Sequence, residues 1–128
     1  MDDSASRPAT AEEFRIEEGL SRGGTVVLTV GGDVDLHVAG EFKSRLTETV
    51  DGGASMLVLD LSSVTFVDSM GLGVLLGGKQ RLAAQGGELH LVVPGPEVRR
   101  ILEITRLDQI LPLHETLPDA LAAVGYQD

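Results

Sequence analysis

The amino-acid sequence predicts a single α/β domain, with a central mixed β-sheet and about four helices packed mainly on one side. Strand-like and helix-like apolar patterns alternate along the chain, which is typical of a sheet covered by helices. A length of 128 residues suffices for one compact domain with its own core. Because aromatic residues make up only 3% of the chain, aliphatic side chains must build that core.

The first half of the chain predicts two strands and a helix. Residues 14–16 alternate like a short edge strand, and the β-branched run at residues 25–30 predicts a second strand. Residues 31–35 contain two glycines and are expected to end this strand in a turn. A helix follows over residues 39–50, because its apolar residues have helical spacing. These residues are Ala39, Phe42, Leu46 and Val50.

The middle of the chain predicts a central strand followed by a long helix. Residues 56–59 are apolar throughout, as in a strand covered on both faces. The helix is expected from Ser69 to about Ala84, since its apolar residues fall on one stripe. The stripe consists of Leu72, Leu75, Leu76, Leu82 and Ala83.

The last part of the chain predicts two more strand–helix pairs. Residues 89–93 form a strand, and Pro96 fits the first turn of a third helix with apolar side chains at Val98, Ile101, Leu102 and Leu107. A short edge strand is expected at residues 110–113, and Thr116 caps a last helix that runs to about Val124. The predicted order is therefore β-β-α-β-α-β-α-β-α.

Charge and composition exclude several classes of function. The net charge of −10 disfavours nucleic acid as a partner, because the phosphate backbone would repel the chain. Without cysteine, there is no disulfide or thiolate chemistry. No apolar run approaches the roughly 20 residues needed to span a bilayer, and no signal peptide precedes the domain, so a cytoplasmic protein without membrane insertion is expected. Residues 1–12 are expected to be a flexible tail, and residues 13–125 the domain.

The strongest local signal of a functional site is the pair of polar residues at the start of the long helix. Asp68 and Ser69 stand where a helix begins, and the unpaired N–H groups there favour a negative group such as phosphate. Either residue can serve as the N-cap, but Asp68 has the better position, which would leave the Ser69 hydroxyl free. Glycines in this helix have two interpretations. Packing against a neighbour is favoured for Gly73 and Gly77, and access for a partner is favoured for Gly71.

These stretches resemble the STAS domain of the bacterial anti-sigma factor antagonist family. The resemblance is carried by residues 32–35, 59–61, 64–73, 87–92 and 98–107, and it spans about residues 14–124. It implies a protein that binds an anti-sigma factor of kinase-like fold and serine-kinase activity, and so releases a sigma factor. In that family, phosphorylation at the start of the helix ends the interaction and a phosphatase restores it.

The resemblance also implies where the partner binds. The surface would comprise the loop at residues 68–71, the exposed face of the following helix and the turn at residues 32–35. The expected partner-binding residues are Asp33, Asp35, Asp68, Ser69, Met70, Gly71, Leu72 and Lys79. Two alternatives come from the residues alone: the aspartates of the turn only end a strand, and Lys79 is only a solvated helix charge.

Met70 departs from the family pattern. The usual phosphoacceptor is the hydroxyl residue immediately before the glycine, and here that position is Met70, which cannot be phosphorylated. Either Ser69 accepts the phosphate, or the protein has no such switch, or it binds something else. One step along a helix start turns a side chain by about 100°, so loss of the switch is favoured over a shift to Ser69.

An alternative function is a STAS scaffold, a ligand-sensing module or a small subunit of a transport complex. No nucleophile–base set accompanies the aspartates, so an enzyme is not expected, and no cofactor is implied. His37, His90 and His114 lack metal-ligand spacing, so no metal site is predicted. His90 lies within a strand pattern and is expected to be a packing residue.

Overall fold

A computed structural model describes residues 12–126, and its elements follow the predicted order. The expectation of a flexible tail concerns residues 1–12, of which 1–11 lie outside the described residues. The elements are β1 (Arg15–Arg22), β2 (Thr25–Val34), α1 (Ala39–Asp51), β3 (Met56–Val67), α2 (Ser69–Ala83), β4 (Glu88–Val92), α3 (Pro96–Ile104), a 3₁₀ turn (Leu107–Gln109), β5 (Leu113–His114) and α4 (Leu117–Ala123).

The five strands form one mixed sheet in the order β1-β2-β3-β4-β5. β1 pairs antiparallel with β2, as a tight turn allows, whereas the other three pairs are parallel. A helix crosses over between successive parallel strands, so the carboxyl ends of β2, β3 and β4 meet at one edge of the sheet. This edge is called the carboxyl edge below.

The helices cover the sheet unequally, which confirms the predicted fold class. α1, α2 and α3 pack on one face through an aliphatic core. From these helices, this core takes Phe42, Leu46, Val50, Leu75, Leu82, Val98 and Leu102. Of the helices that the structure describes, α4 alone lies on the other face, where its Ala120 packs on Val27, Val58 and Val92. Three helices therefore lie on one side and one on the other.

The turn predicted at residues 31–35 is wrong in part, because β2 continues to Val34. The strand accommodates the two glycines by slipping its register against β3 on either side of Gly31 and Gly32. Gly32 has a φ of 82°, and an added Cβ would collide with the carbonyl of Glu13. The glycines are thus needed inside the sheet, where the incoming chain lies close to β2, and not to end it.

Smaller differences concern the ends of elements. β1 runs from Arg15 to Arg22, well beyond the short predicted segment. Ala83 is exposed, so the predicted stripe of α2 is wrong at its end. α3 ends at Ile104, and the last strand is Leu113–His114 because its pairing with β4 begins only at Leu113. Pro96 and the Thr116 cap lie where the sequence predicts them.

Candidate functional site

The carboxyl edge brings the end of β2 next to the start of α2. The backbone N–H of Asp68 donates to the carbonyl of Val34 at 3.2 Å, although 34 residues separate them in sequence. The segment from Asp33 to Leu36 therefore lies beside the segment from Asp68 to Gly71. Parallel pairing of β2 with β3 produces this proximity, and it unites the two stretches that the sequence singled out.

Asp68 holds these two segments together. Its Oδ1 accepts hydrogen bonds from the N–H groups of Met70 at 2.9 Å and Gly71 at 3.1 Å, which makes it the N-cap of α2, as predicted. Its Oδ2 accepts from the N–H of Leu36 at 2.9 Å. The carboxylate thus already occupies the anion position at the helix N-terminus.

Ser69 and Met70 follow the cap and are both exposed. With Asp68 as the cap, the Ser69 hydroxyl makes no hydrogen bond to any residue between 12 and 126, as expected from the sequence. Met70 leaves 49% of its surface exposed. Both side chains are available to a partner.

Two further apolar side chains are exposed at this edge. Leu36 is 63% exposed and Phe66 is 47% exposed. Phe66 pairs in register with Asp33, and Leu36 is held by Asp68. Leu36, Phe66 and Met70 make up half of the six large apolar residues that are exposed within the described chain. All three stand at the carboxyl edge, Leu36 just after β2, Phe66 near the end of β3 and Met70 at the start of α2, and several exposed apolar side chains at one edge of a fold are typical of an interaction surface.

We call Leu36, Phe66, Ser69 and Met70 the α2 patch. Sequence reasoning did not find Leu36 or Phe66. Phe66 stands in an apolar stretch that looks like core, and Leu36 follows a presumed turn. One signal was present, since Phe66 lies next to buried Val67, and adjacent strand residues cannot both face the same core.

The two aspartates near the end of β2 anchor this edge. Asp33 Oδ1 accepts a hydrogen bond from the Thr65 hydroxyl at 2.6 Å, which ties β2 to β3. Asp35 Oδ1 accepts from the backbone N–H of His37 at 2.9 Å and so shapes the loop before α1. Both aspartates lie at the carboxyl edge with Asp68, as the resemblance implied, and both have roles within the fold.

The glycines of α2 behave opposite to the sequence interpretation. Gly71 is buried, and an added Cβ would lie 2.7 Å from the carbonyl oxygen of Val34, so this glycine is needed for packing. An added Cβ at Gly73 or Gly77 would meet no atom within 4 Å. Access was predicted for Gly71 and packing for the other two, and both interpretations are wrong. Packing depends on which side of α2 faces β2, which the local sequence does not specify.

Leu72 and Lys79 do not belong to the α2 patch. Leu72 is half-buried and packs on the core. Lys79 borders a separate depression with Glu88 and Ile110, on the side of α2 that faces β4. The structure therefore does not bring Lys79 to the α2 patch.

A groove of about 310 Å³ runs from the α2 patch between α1 and α2, and we call it the α1–α2 groove. It starts at Ser69 and Met70 and ends near Arg81, whose guanidinium binds the carboxylate of Asp51 at 3.0 and 3.1 Å. The remaining lining residues are Lys43, Leu46, Thr47, Gly73, Val74, Gly77 and Gly78.

The histidines form no metal site within the described part of the chain, where no cluster of three potential ligands is found. His90 is buried, which confirms its predicted packing role. Its Nδ1 lies 2.9 Å from His114 Nε2, because β4 and β5 pair in parallel, and the two rings stack. Burial and the neighbouring His90 lower the pKa of His114. His90 alternates with Leu89 and Leu91, which belong to the core under α1, α2 and α3, so the pair lies on the face of the sheet that carries α4.

Comparison with known proteins identifies the family. The family model for the STAS domain matches residues 20–120. The chain belongs to the STAS domain family. The anti-sigma-F factor antagonist RsfB of Mycobacterium tuberculosis H37Rv is 35% identical over 101 residues, which cover 79% of this chain and 82% of RsfB. The anti-sigma F factor antagonist of Paenibacillus polymyxa is 29% identical over 99 residues, 77% of this chain and 85% of that protein.

A solved structure shows the same architecture. The crystal structure of an anti-sigma factor antagonist from Mycobacterium paratuberculosis superposes with a TM-score of 0.81 at 33% sequence identity, covering 88% of this chain and 95% of that one. Within residues 12–126, no helix has both the length and the apolar character needed to cross a membrane.

Proposed function

We propose that this protein is an anti-sigma factor antagonist, which binds an anti-sigma factor and thereby releases a sigma factor. Membership of the STAS family and the names of its relatives support this proposal. The three relatives compared above are all named as anti-sigma factor antagonists, which favours this function over the alternative from the sequence, a subunit of a transport complex. The protein acts by binding, with no cofactor, and the expected partner has a kinase-like fold.

The observation that carries the proposal is the exposure of Leu36, Phe66 and Met70 around a helix start that Asp68 holds rigid. Burying a fully exposed side chain of this kind contributes about 1.5–3 kcal/mol, and these three are about half exposed, so the patch supplies part of the free energy of association. Because Asp68 fixes both segments before binding, little conformational entropy is lost on association. A small, preorganised apolar surface at the carboxyl edge is what a protein partner requires.

The binding test uses a purified serine-kinase-type anti-sigma factor from the same organism and isothermal titration calorimetry. Met70→Asp and Phe66→Asp each place a charge in the surface to be buried, and each should weaken binding by more than about tenfold. Ile104→Asp is the matched control, since Ile104 is an exposed apolar residue at the end of α3. Wild-type affinity for both patch variants would overturn the proposed surface.

We infer that binding is not controlled by phosphorylation of Ser69. A phosphate there would carry nearly two negative charges beside the Asp68 carboxylate. The N–H groups of Met70 and Gly71, which would otherwise attract it, already bind Asp68. A phosphatase would then have no substrate on this protein, and control would come from abundance or another ligand.

This inference is tested by incubating the protein with ATP and the anti-sigma kinase and mapping phosphate by mass spectrometry. The wild type should remain unmodified, whereas Met70→Ser, which restores a hydroxyl at the family's acceptor position, should be phosphorylated at residue 70. Stoichiometric phosphate on Ser69 of the wild type would contradict the loss of the switch.

A further inference from the structure

The α1–α2 groove contains two glycines that the packing of the fold does not require. Its two open glycines, Gly73 and Gly77, lie one helical turn apart on the exposed side of α2. Glycine is a poor helix former, and alanine would fit at either position without touching any neighbour. Neither position has the positive φ that would require glycine. What the glycines do provide is the open floor of the groove.

The charges of the groove differ from those of the rest of the chain. The sequence has 20 acidic and 10 basic residues, yet the groove is lined by two cations, Lys43 and Arg81, and by no carboxylate. Asp51 already balances Arg81. Lys43 has no ion pair with any residue that the structure describes. An occupant that carries a negative charge would therefore meet an available ammonium group.

The groove is also continuous with the α2 patch, because Ser69 and Met70 line both. Its walls beyond Met70 are apolar at Leu46 and Val74. A partner seated on the patch would extend directly into the groove, with apolar contact over the glycines and a polar contact at Lys43.

We propose that the α1–α2 groove receives a segment of the anti-sigma factor, with an apolar side chain over Gly73 and Gly77 and a carboxylate bound to Lys43. This inference rests on the proposed function, and it names the part of the partner that the patch alone leaves undefined. The groove thereby extends the contact from the helix start along two turns of α2.

Filling the groove tests the inference. Gly73→Leu places a side chain in the space that the partner segment needs, and binding measured by calorimetry should weaken at least tenfold. Leucine favours the helix, so the melting temperature should not fall, which separates lost binding from lost folding. Ala83→Leu is the control, because it adds the same side chain to α2 outside the groove and should leave the affinity unchanged within twofold.

Reversing the charge tests the polar contact. Lys43→Glu should weaken binding at least fivefold, and the loss should shrink at high salt. Arg100→Glu makes the same change in net charge on exposed α3 and should have less than half of that effect on log Kd. Equal effects of the two variants would show a long-range charge effect only and would overturn the contact at Lys43.

Phe66→Asp separates the two proposals, because Phe66 belongs to the patch but does not line the groove. If Phe66→Asp weakens binding while Gly73→Leu and Lys43→Glu do not, the groove proposal is wrong and the proposed function stands. If Phe66→Asp and Met70→Asp also bind like the wild type, the proposed surface fails, and this inference with it. A homodimer seen by analytical ultracentrifugation and lost in Gly73→Leu would assign the groove to a second copy and overturn the proposal.

Discussion

The two sides of α2 use the same residue type for opposite purposes. On the inner side, Gly71 and Gly78 lie against β2 and α1, and an added Cβ would meet their neighbours at 2.7 and 3.2 Å. On the outer side, Gly73 and Gly77 face open space. The inner glycines let the helix lie close to its neighbours, whereas the outer ones leave a groove.

This contrast indicates that glycine in a helix has no single structural meaning. Each interior glycine costs about 1 kcal/mol relative to alanine. At Gly71, close packing offsets that cost. At Gly73 and Gly77 nothing in the described fold offsets it, so the expected reason is access for a partner.

The largest effect is expected at the inner side. Gly71→Ala should lower the free energy of unfolding by about 2 kcal/mol, because overpacking a tight contact costs roughly 1–3 kcal/mol. The contact concerned is with backbone and side chain of Val34. Urea denaturation measures the change. A variant as stable as the wild type would mean that the inner side is not closely packed and would remove the contrast.

A smaller loss is expected where α2 begins. Asp68→Ala removes the N-cap and the acceptor for the N–H of Leu36, and it should cost about 1–2 kcal/mol of stability. Asp68→Asn keeps a good capping oxygen but loses one acceptor, so its loss should be smaller. If the two variants lose equal stability in urea denaturation, the cap contributes nothing beyond the link to Leu36.

Small gains in stability are expected from alanine substitutions on the outer side of α2. Gly73→Ala and Gly77→Ala should each raise the free energy of unfolding by about 0.5–1 kcal/mol, since alanine is the better helix former and has room. Urea denaturation of these two variants and of Gly71→Ala shows whether the free energy of unfolding rises on the outer side of α2 and falls on its inner side. Destabilisation at Gly73 or Gly77 would contradict the open groove.

The order of elements and most of the core could be predicted from the sequence because both depend on local patterns. Apolar spacing predicted the buried residues of α1, and glycine and proline marked most of the boundaries. The course of β2 through Gly31 and Gly32 could not be predicted, since it depends on contacts with the incoming chain at Glu13. The proximity of His90 and His114 likewise follows from strand pairing across 24 residues.

The candidate site follows the same rule as the fold: its local features could be predicted from the sequence, and its long-range contacts could not. The motif around Asp68 located the helix start and its cap, because capping is a local interaction. Leu36 and Phe66 join the surface only through the pairing of β2 with β3, and Lys43 joins the groove only through the packing of α1 on α2. Those contacts are long-range and do not follow from local patterns, although the position of Phe66 beside buried Val67 was a local sign of its exposure.

The most direct test of the binding surface is nuclear magnetic resonance of the ¹⁵N-labelled protein, titrated with the unlabelled anti-sigma factor. Amide signals of Leu36, Phe66, Met70, Gly73 and Gly77 should shift or broaden on binding, whereas those of α4 and the strand at His114 should stay unchanged. Changes confined to α4 and β5, with the outer side of α2 unaffected, would contradict the account.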